Sequence, residues 1–266
     1  MATPTERQVN LFGINIDALG LEDAARELVR ASVESDRMGY VVTPNVDHIV
    51  MLGGDPSFRE AYNDASYIFA DGWPVVVASR LLGKSLPERV AGSDLVPAVL
   101  AHADEIGAPL RVFILGGLGD VPERAAAWVA DNHQNVKVVG AYSPPLGFES
   151  CEKESDQIVT LIVNSAANFI VIGLGAPKQE KWVHANRSKL PPGISVCAGA
   201  TVDFMAGSVA RAPGWMKKVG LEWLHRLLSN PRRLFKRYAR GAVIFPLMML
   251  GEVKRQRTKT AKTSCN

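Results

Sequence analysis

Five times along the chain, a short run rich in β-branched and aromatic residues meets Gly, Asn, Asp or Pro and then gives way to a helical pattern. Tyr40-Val-Val-Thr43 runs into Pro44-Asn45, and Tyr67-Ile-Phe-Ala70 into Asp71-Gly72, with Pro74 placed for a first helical position. Arg111 to Leu115 meets Gly116-Gly-Leu-Gly119, Phe169 to Ile172 meets Gly173-Leu-Gly175, and Ile194 to Cys197 meets Ala198-Gly199. Apolar runs without strict alternation need cover on both faces, and a repeated strand-turn-helix order supplies it when the strands lie parallel. The predicted fold class is therefore α/β: a Rossmann-like, mostly parallel sheet with helices on both faces, plus a helical C-terminal appendage. Asp120 followed by Glu123 resembles a capping box, and Val9 to Asp17, alternating around Gly13, reads as a small hairpin or edge piece ahead of a helix near 21–35.

Past Asp203 the pattern becomes helical, over Trp215 to Val219, Leu221 to Leu228, and Pro231 to about Tyr238 after a break at Asn230-Pro231. The expected organisation is an α/β catalytic body at 1–205, a basic amphipathic membrane-associating appendage at 206–250, and a disordered polar tail at 251–266. Charge follows the same division. The net charge of +3 hides 16 basic against 25 acidic residues in 1–210 and 14 against 2 in 211–266. In the second stretch the cations are interleaved with Trp215, Trp223, Leu227, Phe235 and the run Ala242 to Leu250, a mixture suited to an anionic membrane surface or to phosphates. Charge alone would also suit nucleic acid, but the apolar residues favour lipid and no nucleic-acid motif is present, so no nucleic-acid partner is expected.

The run 242–250 falls short of the roughly 20 apolar residues that span a bilayer, and it contains Pro246. It is expected to lie in the interface, pack on the body or meet a partner chain, and a homo-oligomer is one way of covering it. Met1 to Val9 lacks a basic segment followed by an apolar one, so the expected location is the cytoplasmic side. Cys151, Cys197 and Cys265 are odd in number and far apart, as reduced thiols are, and Cys197 reads as a small core residue on a strand.

In an open parallel sheet, ligands sit beyond the carboxyl ends of the strands, where turns and helix N-termini present backbone N–H groups. Thr43, Asn45, Asp71, Gly116, Gly117, Gly173, Gly175, Gln179 and Asp203 fall at those ends and are the candidate site residues. A plainer reading stands beside each: Asn45 and Asp71 as helix caps, the glycines as turn formers. Gly117-Leu-Gly119 lacks the third glycine and the distant acidic residue of a dinucleotide site, and neither glycine turn ends in Gly-Lys-Ser/Thr. The chain has no Asp-x-Asp pair, no metal-ligand spacing among its five histidines and no Gly-x-Ser-x-Gly elbow. No metal and no cofactor are expected. His48, His184 and His225 fall in expected helices, His48 close to the Thr43-Asn45 turn.

Six blocks in order then resemble a known family: Thr43-Pro-Asn45; Ala70-Asp71-Gly72; Pro87-Glu88-Arg89-Val90 with Gly92-Ser-Asp94; Gly173 to Trp182; Gly199-Ala-Thr-Val-Asp203-Phe; and Arg211 to Trp215 through Gly220 to Arg226 and Asn230 to Arg233. The chain is similar to the WecG/TagA/CpsF glycosyltransferases from about residue 9 to 240. The resemblance implies a membrane-associated, metal-independent, inverting transferase of bacterial cell-surface polysaccharide synthesis, peripheral on the cytoplasmic face. It would move a hexose or N-acetylhexosamine from a UDP-sugar to a polyprenyl-diphosphate-linked saccharide. By the same resemblance Asp71 is the base, and Thr43, Asn45 and Gln179 lie in the pocket, with Lys178 of the Gln179 block grouped among the substrate-binding residues. Arg211, Arg226, Arg232 and Arg233 bring charge to the diphosphates and the membrane. Trp73 and Asp47 depart from the usual pattern, and Trp73, next to the base, leaves the donor sugar open. Without a metal, charge on the leaving diphosphate has to be met by backbone N–H groups and cations, which leads to the expectation that the appendage folds over the nucleotide site. The rival readings are an NAD-type oxidoreductase, which accounts for the sheet, and a non-catalytic membrane adaptor, which accounts for the tail.

Overall fold

The computed structural model describes residues 8–214, 216, 222–229 and 231–263. The expected helical stretch around Trp215 to Val219 lies for the most part outside them, as does Asn230. At the centre is a six-stranded sheet in the order β4-β3-β8-β7-β5-β6, formed by β3 (Met38–Val42), β4 (Tyr67–Ile68), β5 (Arg111–Gly116), β6 (Lys137–Tyr142), β7 (Phe169–Gly173) and β8 (Gly193–Cys197). Every neighbouring pair is parallel. The carboxyl ends of all six strands therefore open on one edge. A separate hairpin of β1 (Gln8–Leu11) and β2 (Ile14–Asp17) turns at Phe12 and Gly13, both at positive φ.

The strands read as unbroken apolar runs because both faces are covered. On one side Phe113, Leu115, Ile170, Ile172 and Cys197 join a core closed by α2 (Val46–Leu52), α3 (Pro56–Asn63) and α8 (Lys178–Asn186). On the other, Val112, Ile114, Phe169, Val171 and Val196 pack under α1 (Leu21–Glu34), α5 (Gly92–Ile106), α6 (Val121–Asn132) and α9 (Thr201–Met205). α4 (Trp73–Leu81) follows β4, and α7 (Glu152–Ser165) follows β6.

Two local expectations are corrected. A sixth strand, β6, is present where five were read: its residues are only partly buried and begin with Lys137, as an edge strand's do. Asp120 makes no side-chain cap, because its backbone (φ −85, ψ 5) is turned helix-like, away from the extended conformation that lets a side chain reach back to the N2 or N3 amide.

The last two helices are α10 (Glu222–Ser229) and α11 (Pro231–Thr263). α11 lies along α2, and Phe245, Met248, Met249 and Val253 pack on the first core, with the rings of Phe245 and Phe12 5.4 Å apart. The run 242–250 thus covers the body with one face, while Val243, Leu247 and Leu250 face outward. Disorder was expected from 251 onward. The helix instead continues to Thr263, and Glu252 is buried, 4.0 Å from Lys84 Nζ. Among the described residues no helix is long and apolar enough to cross a membrane.

Gly116 is where the sheet leaves least room. It has φ 116, and a Cβ there would stand 2.5 Å from the carbonyl of Gly173 on the neighbouring strand. Gly119, at φ 61, has nothing within 4 Å. Gly116→Ala should therefore destabilise the fold by about 3 kcal/mol or more, since rigid backbone would have to move, while Gly119→Ala should cost about 1 kcal/mol from its left-handed backbone alone. Urea unfolding of the two variants checks this, and equal losses would contradict it.

Candidate active site

Along the carboxyl edge of the sheet runs a cavity of about 760 Å³, within the usual size range of small-molecule sites. Each strand end contributes to it. Thr43 and Asn45 come from the end of β3, Asp71 from β4, Gly117 from β5, Gly173, Gly175, Lys178 and Gln179 from β7 and α8, and Asp203 from α9. Nine of the ten body residues singled out from the sequence line this one space. Gly116 does not; its role is the close approach of β5 to β7.

Asp71 emerges one turn past β4, its N–H donating to the Pro44 carbonyl at 2.9 Å, which ties the β4 exit to the β3 exit. Its Oδ1 stands 3.7 Å from Arg89 Nη1, with the Asp71 side chain 24% and the Arg89 side chain 15% exposed. Arg89 also donates from Nη2 to Asp94 Oδ2 (2.6 Å) and from Nη1 to Glu222 Oε2 (3.1 Å). The other oxygen of Asp94 accepts from Arg211 Nη2 at 2.6 Å. Asn45 satisfies both of its readings. Its Oδ1 caps α2 by accepting from the N–H groups of Asp47 and His48, and the residue lines the cavity as well.

The predicted cations are placed differently. Arg211 does not line the cavity; its guanidinium is held by Asp94 and Ser93 and lies over the Phe204 ring. Arg232 is exposed on α11, away from the cavity, and the side chains of Arg226 and Arg233 lie outside the described residues. The cationic residues that do line it are Arg89, Arg237 and Lys178. Arg237 pairs with Asp47 at the start of α2, and Lys178 with Glu149. Sequence reasoning quoted Arg89 in the Pro87–Val90 block without giving it a site role, and it missed Arg237 and the loop Pro144–Glu149 that closes the β6 end of the cavity. The one available signal for Arg89 was its place in that block, whose approach to Asp71 only the folded chain reveals. Among the described residues no three His, Cys, Asp or Glu side chains gather as a metal-ligand group.

Among the buried groups beside the cavity, two have displaced pKa values that bear on the ordinary pH range. His48 accepts or donates through Nδ1 to Tyr62 Oη at 2.6 Å, and burial lowers it to about 4, so it is neutral at neutral pH. Glu180, behind Gln179, is pushed up to about 7 by burial.

A parallel sheet carries a carboxylate and a guanidinium at its edge, with glycine turns beside them in one cavity. The profile of the family described as "Glycosyl transferase WecG/TagA/CpsF family" matches residues 9–259. The chain belongs to this family. It is 30% identical over 201 residues to the N-acetylglucosaminyldiphosphoundecaprenol N-acetyl-beta-D-mannosaminyltransferase of Bacillus spizizenii (strain ATCC 23059 / NRRL B-14472 / W23), covering 76% of this chain and 75% of that one. It is also 30% identical over 204 residues to the protein of the same name in Bacillus subtilis (strain 168), covering 77% and 76%. As a WecG/TagA/CpsF family member the chain is a glycosyltransferase, and the matched span takes in both the sheet and most of α11.

The displaced pKa values set opposite pH dependences. His48 titrates at about 4 when folded against 6.5 ordinarily, so its contribution to stability is complete above 6.5 and is lost as pH falls toward 4, by at most about 3 kcal/mol. Glu180 titrates at about 7 against 4.5, so its contribution is complete below 4.5 and is lost as pH rises through 7. Unfolding free energies of the wild type, His48→Asn and Glu180→Gln across pH 4–8 should show the first variant removing the acid-side loss and the second the neutral-side loss. Parallel curves for all three proteins would contradict the assignment.

Proposed function

We propose that this glycosyltransferase moves a hexose or N-acetylhexosamine from a UDP-sugar to a polyprenyl-diphosphate-linked saccharide, with inversion and without a metal ion, in bacterial cell-surface polysaccharide synthesis. The observation that carries the reading is the Asp71–Arg89 pair at the edge of a parallel sheet, in a cavity otherwise bordered by glycine turns. The two Bacillus relatives support the lipid-linked acceptor, since their names specify N-acetylglucosaminyldiphosphoundecaprenol.

In the proposed mechanism Asp71 takes the proton of the acceptor hydroxyl as its oxygen attacks the anomeric carbon from the face opposite the departing UDP. Negative charge then builds on the β-phosphate. Arg89 and N–H groups of the turns after β5 and β7 are the groups proposed to meet it, the Gly175 N–H excepted because Gln179 Oε1 accepts it. Thr43, Asn45, Lys178, Gln179 and Asp203 bind the sugar and nucleotide around that axis. Arg226, Arg232 and Arg233 serve the lipid diphosphate, and Arg211 acts through Asp94, which it shares with Arg89. Trp73 lines the cavity two residues from Asp71 and restricts which sugar fits there.

We further propose that the body 1–205 carries the transfer chemistry, that the appendage from 206 onward closes the site over its substrates, and that the protein works peripherally on the cytoplasmic face of the membrane. Exposed Phe235, Val243, Leu247 and Leu250 alongside exposed Arg232, Lys236 and Arg240 suit an anionic lipid surface. The same apolar residues would be covered in a homo-oligomer.

Asp71→Asn keeps the shape of the side chain and removes the base. Turnover with a short-chain polyprenyl-diphosphate saccharide and a panel of UDP-sugars should fall by about 10²–10⁴-fold with UDP binding retained, and wild-type turnover should persist in EDTA. Unchanged turnover in the variant would sink the role of Asp71, and loss of activity on chelation would sink metal independence. A protein that consumes no UDP-sugar while binding anionic vesicles would be the membrane adaptor instead.

A further inference from the structure

Glu180 presents a physical anomaly. It is 0% exposed, on a helix that packs against the sheet, and its Oε2 has no hydrogen-bond partner. A buried carboxyl with an unsatisfied oxygen is costly, and an apolar residue of the same size would pack there more favourably. Its side-chain partner explains what the carboxyl achieves: Oε1 accepts from Gln179 Nε2 at 2.8 Å.

Gln179 in turn joins the turn after β7 to the turn after β8. Its Oε1 accepts from the N–H of Gly175 and from the N–H of Gly199, each at 3.2 Å. Backbone N–H groups can only donate, so the end of the carboxamide that meets them must be the oxygen, and the nitrogen must face Glu180. Both glycines have positive φ, and no atom lies within 4 Å of where a Cβ would stand on either. Beside the backbone bond from the Ala198 N–H to the Ile172 carbonyl (2.9 Å), the carboxamide is what joins the two glycine N–H groups.

We infer that Glu180 is a positioning residue: by accepting the N–H of Gln179 it locks the carboxamide that clamps the Gly175 and Gly199 turns to each other on the floor of the cavity. Without an acceptor behind it, the carboxamide can rotate and present its nitrogen to two backbone N–H groups, which breaks both bonds at once. The Gly175 turn that then loosens belongs to the stretch after β7 proposed to face the leaving diphosphate, so the predicted effect on turnover rests on the proposed function. The clamp itself does not.

The test compares wild type, Glu180→Leu and Glu180→Gln by amide hydrogen exchange, thermal unfolding and UDP-sugar turnover. In Glu180→Leu the Gly175 and Gly199 amides should exchange about tenfold faster or more, and kcat should fall by about tenfold or more. The melting temperature should be unchanged or raised, because the unsatisfied oxygen is gone. Glu180→Gln still offers an oxygen to Gln179 and should restore slow exchange and turnover. Unchanged exchange at the two glycines in Glu180→Leu, or turnover that falls only in step with melting temperature in both variants, would overturn the inference. If leucine prevents folding, Glu180→Met is judged by the same readouts, its flexible side chain being easier to accommodate. Were the wild type to turn over no UDP-sugar, the functional reading would fail, and the exchange comparison would still decide the clamp.

Discussion

One guanidinium, that of Arg89, is shared by three carboxylates brought from separate parts of the chain: Asp71 past β4, Asp94 on α5 and Glu222 on α10. None of the four side chains is more than a quarter exposed, so screening by water is weak and removing any one leaves its partners poorly compensated. Arg211 supplies the second positive charge through Asp94. The arrangement fixes the carboxylate of Asp71 relative to the cavity. It also ties α10, which precedes the long terminal helix, to the carboxyl edge of the sheet, so that the geometry of the cavity and the placement of the C-terminal segment are one electrostatic problem.

The sheet makes that meeting place available. Six parallel strands deliver their exits to a single edge, and the chain uses glycine there for two different reasons. At Gly116 and Gly173 a side chain would collide with neighbouring groups, backbone at Gly116 and Val202 at Gly173; at Gly175 and Gly199 the space is open and the positive φ is what matters. The first kind lets β5 and α9 approach β7 closely. The second shapes turns whose N–H groups Gln179 accepts and braces.

How much of this could be read beforehand depended on whether the signal was local. Strands buried on both faces announce themselves as uninterrupted apolar runs, and the turns that follow them carry Asn, Asp and Gly, so Thr43, Asn45, Asp71 and the glycine turns were legible. β6 was not, because Lys137 and Gly140 dilute its pattern; the glycine is there because a Cβ would stand 2.5 Å from the Phe113 ring. Asp120 carried the right residue type for a cap on the wrong backbone. The stretch from Glu252 onward has the composition of a solvated tail, yet Glu252 is buried on the body and the helix carries on from the docked segment. Arg89 and Arg237 reach the cavity through pairings 18 and 190 residues away in sequence, with Asp71 and Asp47 respectively, and no pattern along the chain encodes such a distance.

The claim on which the account turns is that protein groups at this edge meet the charge of a nucleotide diphosphate beside Asp71. A crystal structure of the protein with UDP-sugar, grown with magnesium present, tests it most directly. The account predicts β-phosphate oxygens within hydrogen-bond distance of Arg89 and of the Gly173–Gly175 turn, with the anomeric carbon on the Asp71 side. A nucleotide bound elsewhere, or a magnesium ion bridging its phosphates in this cavity, would contradict it.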